Sequence, residues 1–228
     1  MKPREHSRYR GVILDVDGTL IDSNEAHTLA WVDALAELAV RVDVARVRPL
    51  MGMGGDKVIP ILAGVDADSE RGKRISECRA RIFKEEYLPR VRPFPSVRDL
   101  LERMRADGLE LAVASSAKAE ELETLLAIAR VDDLIETRTS SDDAEHSKPD
   151  PDVVKAALGK TGLAPAEVLM LGDTPYDIEA AARTCAGAIA LRCGGWDDAH
   201  LEDALAIYDD PADLLRRYDS SPLGRGCP

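Results

Sequence analysis

The stretch Gly11-Val-Ile-Leu-Asp15-Val-Asp17-Gly18-Thr19-Leu20 carries the most information about this 228-residue chain. Its apolar run, Val12-Ile-Leu14, predicts a strand that is buried on both faces, as in a parallel sheet. The strand ends in two carboxylates, Asp15 and Asp17. Ligands bind in the crevice at the carboxyl ends of such strands, and neighbouring acids there need a cation or a shared proton between them. The stretch therefore predicts chemistry at a strand end; an Asx-type turn with solvated acids is the alternative.

From residue 94 onward, strand-like and helix-like patterns alternate along the chain. Strands are predicted at 109–114, 134–137, 168–171, 188–191 and 207–208, with helices between them. Alternation of this kind predicts a parallel sheet with helices on both faces. We therefore predict an α/β fold with a doubly wound, Rossmann-like parallel sheet. The tail at 220–228 is predicted to be disordered.

Residues 24–91 break this alternation, because they contain long helical patterns and no convincing strand. Helices are predicted over 24–39, 57–62 and 69–88. An insertion at this point of the chain lies over the strand ends that carry the acids. The predicted organisation is an all-helical domain at 23–91 inserted into a core made of 1–22 and 92–228. A helical decoration with no role at the site is the alternative.

The net charge of −12 argues against a nucleic-acid partner, because a phosphate backbone would repel such a chain. No apolar run approaches the length of a membrane span, and the basic N-terminus lacks a signal-peptide cleavage pattern. A cytoplasmic protein that does not bind membranes is therefore predicted. The sequence leaves its oligomeric state open.

Three further motifs follow the first. They are Leu111-Ala-Val-Ala-Ser115-Ser116, Ser147-Lys148-Pro149-Asp150-Pro151 and Val168-Leu-Met-Leu-Gly172-Asp173-Thr174-Pro175-Tyr176-Asp177. Together with Asp15–Thr19, this ordered set resembles the haloacid dehalogenase-like hydrolases, which are mostly magnesium-dependent phosphatases. The resemblance extends over about residues 9–218. An ordered set of four motifs is far more specific than any one of them.

The resemblance implies a role for each core residue. Asp15 is the expected nucleophile, which forms an aspartyl-phosphate, and Asp17 is the expected general acid and base. Ser115 and the backbone N–H of Ser116 are expected to bind the phosphoryl group, and Lys148 to neutralise both that group and Asp15. The competing interpretations are a helix-capping Ser115 and a solvated surface Lys148.

The expected cofactor is Mg²⁺, which prefers hard oxygen ligands. Asp173 is expected to bind it directly together with Asp15, and by resemblance the backbone carbonyl of Asp17 is a third ligand. Asp177 is expected either to support the ion from outside its first coordination shell or to pair with Lys148. Helix N-capping is the competing role for Asp173.

The resemblance implies that the helical domain at 23–91 is a cap domain. This cap is expected to recognise the rest of a small phosphorylated metabolite. By resemblance, His27 faces the site and Arg79 contacts substrate. The glycine-rich loop that contains Gly54 and Gly55 resembles the specificity loop of the family, and its amides suit an anionic or hydroxylated substrate. A partly exposed helix histidine and a solvated charged helix face are the alternatives for His27 and Arg79.

The leading hypothesis is a phosphatase similar to the phosphoglycolate and sugar-phosphate phosphatases. A phosphomutase of the β-phosphoglucomutase type shares the whole catalytic set, but it carries an arginine where this chain has Gly55 and an apolar residue where it has Thr19. A phosphonatase would need a cap lysine as a Schiff base, and Lys57 is two residues away from the matching spacing. A non-catalytic relative is a further alternative from another class.

Overall fold

A parallel sheet forms the centre of the computed structural model, which describes residues 9–224. Its six strands lie in the order β5-β4-β1-β6-β7-β8. Their bounds are β1 Gly11–Leu14, β4 Glu110–Ala114, β5 Thr137–Thr139, β6 Val168–Gly172, β7 Gly187–Leu191 and β8 Ala206–Tyr208. All neighbouring strands in this sheet pair in parallel. Because β1 lies between β4 and β6, the three apolar strands that lead into the first, second and fourth motifs are adjacent.

Helices cover both faces of this sheet. They are α5 Val97–Ala106, α6 Ala119–Ala129, α7 Asp152–Thr161, α8 Pro175–Arg183, α9 Asp198–Leu201 and α10 Pro211–Arg216. Alternate strand residues face opposite sides, so Val12 and Leu14 pack with α5 and α6, whereas Ile13 packs with α7 and α8. The predicted α/β fold with a doubly wound parallel sheet is therefore confirmed.

An all-helical segment is inserted between two short strands, β2 Ile21–Asp22 and β3 Arg92–Pro93, which pair antiparallel. Its helices are α1 Asn24–Glu37, α2 Val44–Val47, α3 Gly55–Ala63 and α4 Glu70–Ile82. The segment has a hydrophobic cluster of its own, made of Trp31, Leu35, Val47, Met51, Val58, Ile59, Leu62 and Ile75. The insertion of helices after the first motif is thus confirmed, while the exact domain boundaries stay a prediction.

The structure corrects three details of the sequence-based assignment. The strand predicted at 134–137 lies at Thr137–Thr139. The α-helix predicted to reach residue 88 ends at Ile82 and continues as a π-helical stretch, Phe83–Tyr87. The predicted disorder of the tail is wrong for residues 220–224, because Ser220 ends a short 3-10 helix and Ser221 and Leu223 are buried. Residues 225–228 lie outside the described part. No helix within residues 9–224 is long and apolar enough to cross a membrane.

Candidate active site

The ends of three adjacent strands bring the predicted core residues together. Asp15 directly follows β1, Ser115 follows β4 and Asp173 follows β6. In a parallel sheet the carboxyl ends of all strands lie at one edge, which explains why motifs far apart in sequence meet. The loop before α7 adds Lys148, which is fully buried. The first, second, third and fourth motifs therefore form one cluster.

Lys148 connects two of the aspartates. Its ammonium donates to Oδ1 of Asp15, to Oδ1 of Asp177 at 2.7 Å and to the carbonyl of Ala114 at 3.2 Å. Burial alone would lower the pKa of Lys148, but the two carboxylates outweigh it and raise that pKa above its ordinary value. Lys148 is therefore a permanently charged group of the site and not a solvated surface lysine.

Asp177 serves two partners at once. Its Oδ2 accepts hydrogen bonds from the Thr174 hydroxyl at 2.7 Å and from the Thr174 backbone N–H at 3.0 Å. These bonds complete a capping box at the start of α8. Its Oδ1 accepts a hydrogen bond from Lys148. Asp177 therefore has the second of the two roles expected for it, that of a partner of Lys148.

The carboxylates outnumber the cations in this cluster. Asp15, Asp173 and Asp177 are all buried, and one ligand oxygen from each lies within 4.8 Å of the others. Among residues 9–224, Lys148 is the only cation that contacts them. Burial raises the pKa of Asp15 to about 7, with Lys148 opposing this change and Asp177 adding to it. Burial and the charges of Asp15 and Asp177 raise the pKa of Asp173 well above its ordinary value.

This donor set fits a divalent cation. Three carboxylates and one ammonium leave a net charge of −2 when all are ionised, and carboxylate oxygens are the ligands that Mg²⁺ prefers. Among residues 9–224, the side-chain donors to Asp173 are neutral: the Thr19 hydroxyl at 2.9 Å and the Asn24 amide at 2.9 Å. Asp173 could therefore bind a cation together with Asp15 and Asp177.

Asp17 lies apart from this cluster and faces the helical segment. Its Oδ1 accepts from the Ser23 hydroxyl at 2.5 Å and lies 2.7 Å from Nε2 of His27. Burial would raise the pKa of Asp17, but His27, Ser23 and Arg79 together lower it to about 2. The two acids of the first motif therefore have pKa values shifted in opposite directions, which separates their chemical roles.

Arg79 determines which nitrogen of His27 carries the proton. A guanidinium NH2 group of Arg79 lies 2.5 Å from Nδ1 of His27. Guanidinium groups only donate hydrogen bonds, so Nδ1 accepts and Nε2 carries the proton that is donated to Asp17. Glu121 of α6 holds the other side of Arg79 at 2.8 Å. The two residues predicted to face the substrate thus contact each other, and His27 also contacts Asp17.

The aromatic rings of the helical segment hold this arrangement in place. The guanidinium carbon of Arg79 lies 5.6 Å from the ring centroid of Trp31 and 5.0 Å from that of Phe83, distances that suit cation–π contacts. The Phe83 ring also stacks on His27 at 4.1 Å. Neither side chain is a solvated surface group, so the alternatives given for His27 and Arg79 do not describe the structure.

The glycine-rich loop rests on the core beside the site. The backbone N–H of Gly54 donates to the Ser147 hydroxyl at 2.9 Å, and a Cβ at Gly54 would lie 2.7 Å from that of Ser147. The Ser116 hydroxyl donates to the carbonyl of Gly52 at 2.9 Å. The amide of Gly54, predicted to meet substrate, is thus bonded to the core, although Gly54 and Gly55 both line the cavity beneath the helical segment.

A cavity of about 620 Å³ lies between the strand ends and the helical segment. Its walls include Asp15, Asp17, His27, Arg79 and Ser116 from among the predicted site residues. Ser115 is buried, and its hydroxyl accepts a hydrogen bond from the backbone N–H of Ala117 at 3.0 Å. The side chain of Ser115 therefore closes a turn before α6, which resembles the capping alternative.

Three site residues are not predicted from the sequence: Ser23, which donates to Asp17, Thr19 and Asn24. Thr19 lies between two carboxylates, with its hydroxyl 3.1 Å from Asp15 Oδ2 and 2.9 Å from Asp173 Oδ1. Asn24 begins α1 and donates to Asp173 Oδ2. Thr19 was noted only as a difference from the mutases. Nothing in the local pattern around Asn24 distinguishes it from an ordinary first residue of a helix.

Fold and site together define an α/β protein with a parallel sheet, whose acids lie at the ends of the strands beneath an inserted helical segment. The sequence model of the haloacid dehalogenase-like hydrolases matches residues 12–190. The chain belongs to the haloacid dehalogenase-like hydrolase family, as its motifs predicted.

Individual relatives agree with this assignment. A phosphoglycolate phosphatase of Aquifex aeolicus is 29% identical over 219 residues, which cover 92% of this chain and 97% of the relative. The crystal structure of a hydrolase from Pseudomonas syringae is 31% identical, with a TM-score of 0.86 over 92% of this chain and 98% of the other.

A β-phosphoglucomutase structure from Clostridium difficile shares the fold at 16% identity, with a TM-score of 0.80 over 94% of this chain and 97% of the other. The prediction that this protein is an enzyme, a phosphatase of this family, is confirmed.

Proposed function

We propose that the protein is a magnesium-dependent phosphatase that hydrolyses a small phosphate monoester through an aspartyl-phosphate on Asp15. The observation that carries the proposal is the buried cluster of three aspartates with a single lysine at the edge of the sheet. Its unbalanced negative charge suits a divalent ion, and Asp15 also lines the cavity where a substrate would enter.

Asp15 acts as the nucleophile in the first step. Its carboxylate forms a bond to phosphorus, the bond between phosphorus and the ester oxygen breaks, and Asp17 gives a proton to the leaving oxygen. In the second step Asp17 takes a proton from water, whose oxygen attacks phosphorus and frees the Asp15 carboxylate. Asp17 ends protonated and ready for the next cycle, so protons and electrons balance.

Mg²⁺ would be held by Asp15, Asp173 and the Asp17 backbone carbonyl, where it would neutralise the charge of the phosphoryl oxygens. Lys148 supplies a second, fixed positive charge against Asp15. The backbone N–H of Ser116, whose residue lines the cavity, is proposed to bind the phosphoryl group together with Lys148. Ser115 contributes by shaping the turn through its bond to Ala117.

The protonation of Asp17 depends on the helical segment. With Ser23 and His27 bonded to it, Asp17 is ionised at neutral pH, which suits the step that removes a proton from water. Donation to the leaving oxygen requires a protonated Asp17, so substrate must weaken these bonds in the first step. We therefore propose that residues 23–91 act as a cap whose contacts change when substrate binds.

Two alternatives are less well supported. A phosphonatase would use Lys57 as a Schiff-base amine, which requires a lowered pKa. Burial lowers the pKa of Lys57, but its ion pairs with Asp150 at 2.5 Å and Asp56 at 3.5 Å outweigh this and raise it. A phosphomutase of the β-phosphoglucomutase type would need an arginine in the cap loop. This chain has Gly55 at that position, in the wall of the cavity.

The test is phosphate release from phosphoglycolate, hexose phosphates and nucleoside monophosphates, measured with Mg²⁺ and with a chelator. The proposal expects Mg²⁺-dependent release from at least one ester, abolished by Asp15→Asn. Asp22→Asn is the matched control, since this neighbouring aspartate is exposed and lies outside the described cluster. Release that continues in Asp15→Asn, or is equal with chelator, would contradict the proposed mechanism.

A further inference from the structure

Asn24 stands out among the residues around the aspartate cluster. It is the first residue of α1, in the inserted segment, yet its side chain reaches the core. Its amide nitrogen lies 2.9 Å from Asp173 Oδ2 and 3.1 Å from the carbonyl of Gly194. A backbone carbonyl such as that of Gly194 only accepts hydrogen bonds, so the amide NH2 group, and not its oxygen, must face this side. The orientation of this side chain is therefore determined by its surroundings.

The same oxygen of Asp173 is enclosed from two further sides. A Cβ at Gly18 would lie 2.2 Å from Asp173 Oδ2, and a Cβ at Gly194 would lie 1.8 Å from it. Both distances are far shorter than any real contact, so the backbone approaches the carboxylate as closely as glycine allows. Asn24, Gly18 and Gly194 thus form a close-fitting wall around Oδ2. The other oxygen, Oδ1, is linked to Asp15 through Thr19.

The amide oxygen of Asn24 provides a second, independent observation. Asn24 Oδ1 is buried and has no hydrogen-bond partner among residues 9–224, although Asn24 lines the cavity. Buried polar atoms are nearly always hydrogen-bonded, so this acceptor implies a donor that arrives with a ligand. An Mg²⁺ ion usually keeps several bound waters, and these are donors.

We propose that Asn24 is a positioning residue for the metal ion. Its NH2 group holds Oδ2 of Asp173 against the two glycines and leaves Oδ1, on the side of Asp15, to ligate the ion. Its free amide oxygen accepts a hydrogen bond from a water on that ion. The inference rests on the proposed magnesium-dependent function. Partners that orient a metal ligand typically change metal affinity by about 10- to 100-fold when they are removed.

The experiment measures Mg²⁺ binding directly, by isothermal titration calorimetry without substrate. We expect Asn24→Ala to weaken binding by about tenfold or more. Gly194→Ala should weaken it too, because the added Cβ displaces the same carboxylate while Asn24 stays intact. Glu25→Gln is the control, since this neighbouring helix residue is exposed and its one ion pair, with Arg48 at 3.9 Å, is also exposed; its affinity should equal that of the wild type.

The midpoint of unfolding, measured in a chelator and again with Mg²⁺, separates a positioning role of Asn24 from a purely structural one. Asn24→Ala loses two hydrogen bonds and should unfold at a lower midpoint than the wild type without metal. Mg²⁺ should raise the midpoint of the variant less than it raises that of the wild type. Wild-type affinity for Mg²⁺ in Asn24→Ala would overturn the inference and leave the proposed function standing. Absence of Mg²⁺ binding by the wild type would instead overturn the proposed function itself.

Discussion

Asp15 and Asp17 should affect folding stability in opposite directions when each is replaced by asparagine, although both replacements should abolish turnover. In the metal-free protein the pKa of Asp15 is raised from its ordinary value near 3.8 to about 7. A folded-state pKa above the unfolded one means that ionisation destabilises the fold. The unfolded chain releases this proton near pH 4, so stability falls as the pH rises from there to about 7 and then levels off.

The magnitude follows from the same pKa change. A tenfold change in an acid equilibrium is worth about 1.4 kcal/mol, so ionised Asp15 destabilises the metal-free fold by up to about 4 kcal/mol near pH 8. Asparagine removes this charge without breaking the network. Lys148 can still donate to Oδ1, and the new NH2 group can donate to Thr19, whose hydroxyl then donates to Asp173.

Ionisation of Asp17 changes folding stability in the opposite direction. Its pKa is lowered from near 3.8 to about 2, because the charge interactions and hydrogen bonds with His27, Ser23 and Arg79 together outweigh burial. The ionised form therefore stabilises the fold at every pH above the unfolded value, and this contribution disappears only as the pH falls towards 2. A neutral His27 supplies a hydrogen bond but no charge, so Asp17→Asn should lose at most about 2 kcal/mol near pH 8.

Urea unfolding in a chelator provides the measurement, near pH 8 and near pH 5. Asp15→Asn should exceed the wild type in free energy of unfolding near pH 8, and this gain should shrink to less than half near pH 5. Asp17→Asn should be less stable than the wild type at both values. A destabilised Asp15→Asn near pH 8, or two variants that change stability with the same sign, would refute the reasoning.

Three further predictions use the same cluster. Lys148→Met should destabilise the metal-free protein by about 3–5 kcal/mol, because two buried carboxylates lose their cation; urea unfolding would contradict this if the loss were negligible. Mg²⁺ affinity should rise as the pH increases through about 7, because Asp15 must release its proton before it binds the ion. Calorimetry of Mg²⁺ binding near pH 6, in two buffers with different ionisation enthalpies, should detect this proton release. Absence of proton release would count against the raised pKa of Asp15. Arg79→Met should lower kcat by about tenfold or more, because His27 is then free to turn its unprotonated nitrogen towards Asp17, while Mg²⁺ affinity stays at the wild-type value. Arg79→Lys keeps the charge and serves as the conservative comparison, and an unchanged kcat in Arg79→Met would contradict the role of the tautomer.

The fold and the central cluster could be predicted because their signals are local. Each of β1, β4 and β6 is a short apolar run that ends in a polar residue, and a parallel sheet places all such ends at one edge. The helical insertion was equally visible, because long amphipathic patterns interrupt the alternation. Errors arose where packing outweighed propensity, as in the polar-looking tail whose Leu223 is buried.

The chain by itself thus determined which side chains meet at the edge of the sheet, and the tertiary structure alone decided what each of them does there. Asn24 and the carbonyl of Gly194 are 170 positions apart, and Arg79 and Glu121 are 42 apart. Such pairs leave no periodic pattern, because a hydrogen bond between distant segments depends on where the backbones lie after packing. The same holds for the tautomer of His27, the enclosure of Asp173 and the opposite pKa shifts of Asp15 and Asp17, which arise from burial and neighbouring charges that no spacing along the chain encodes.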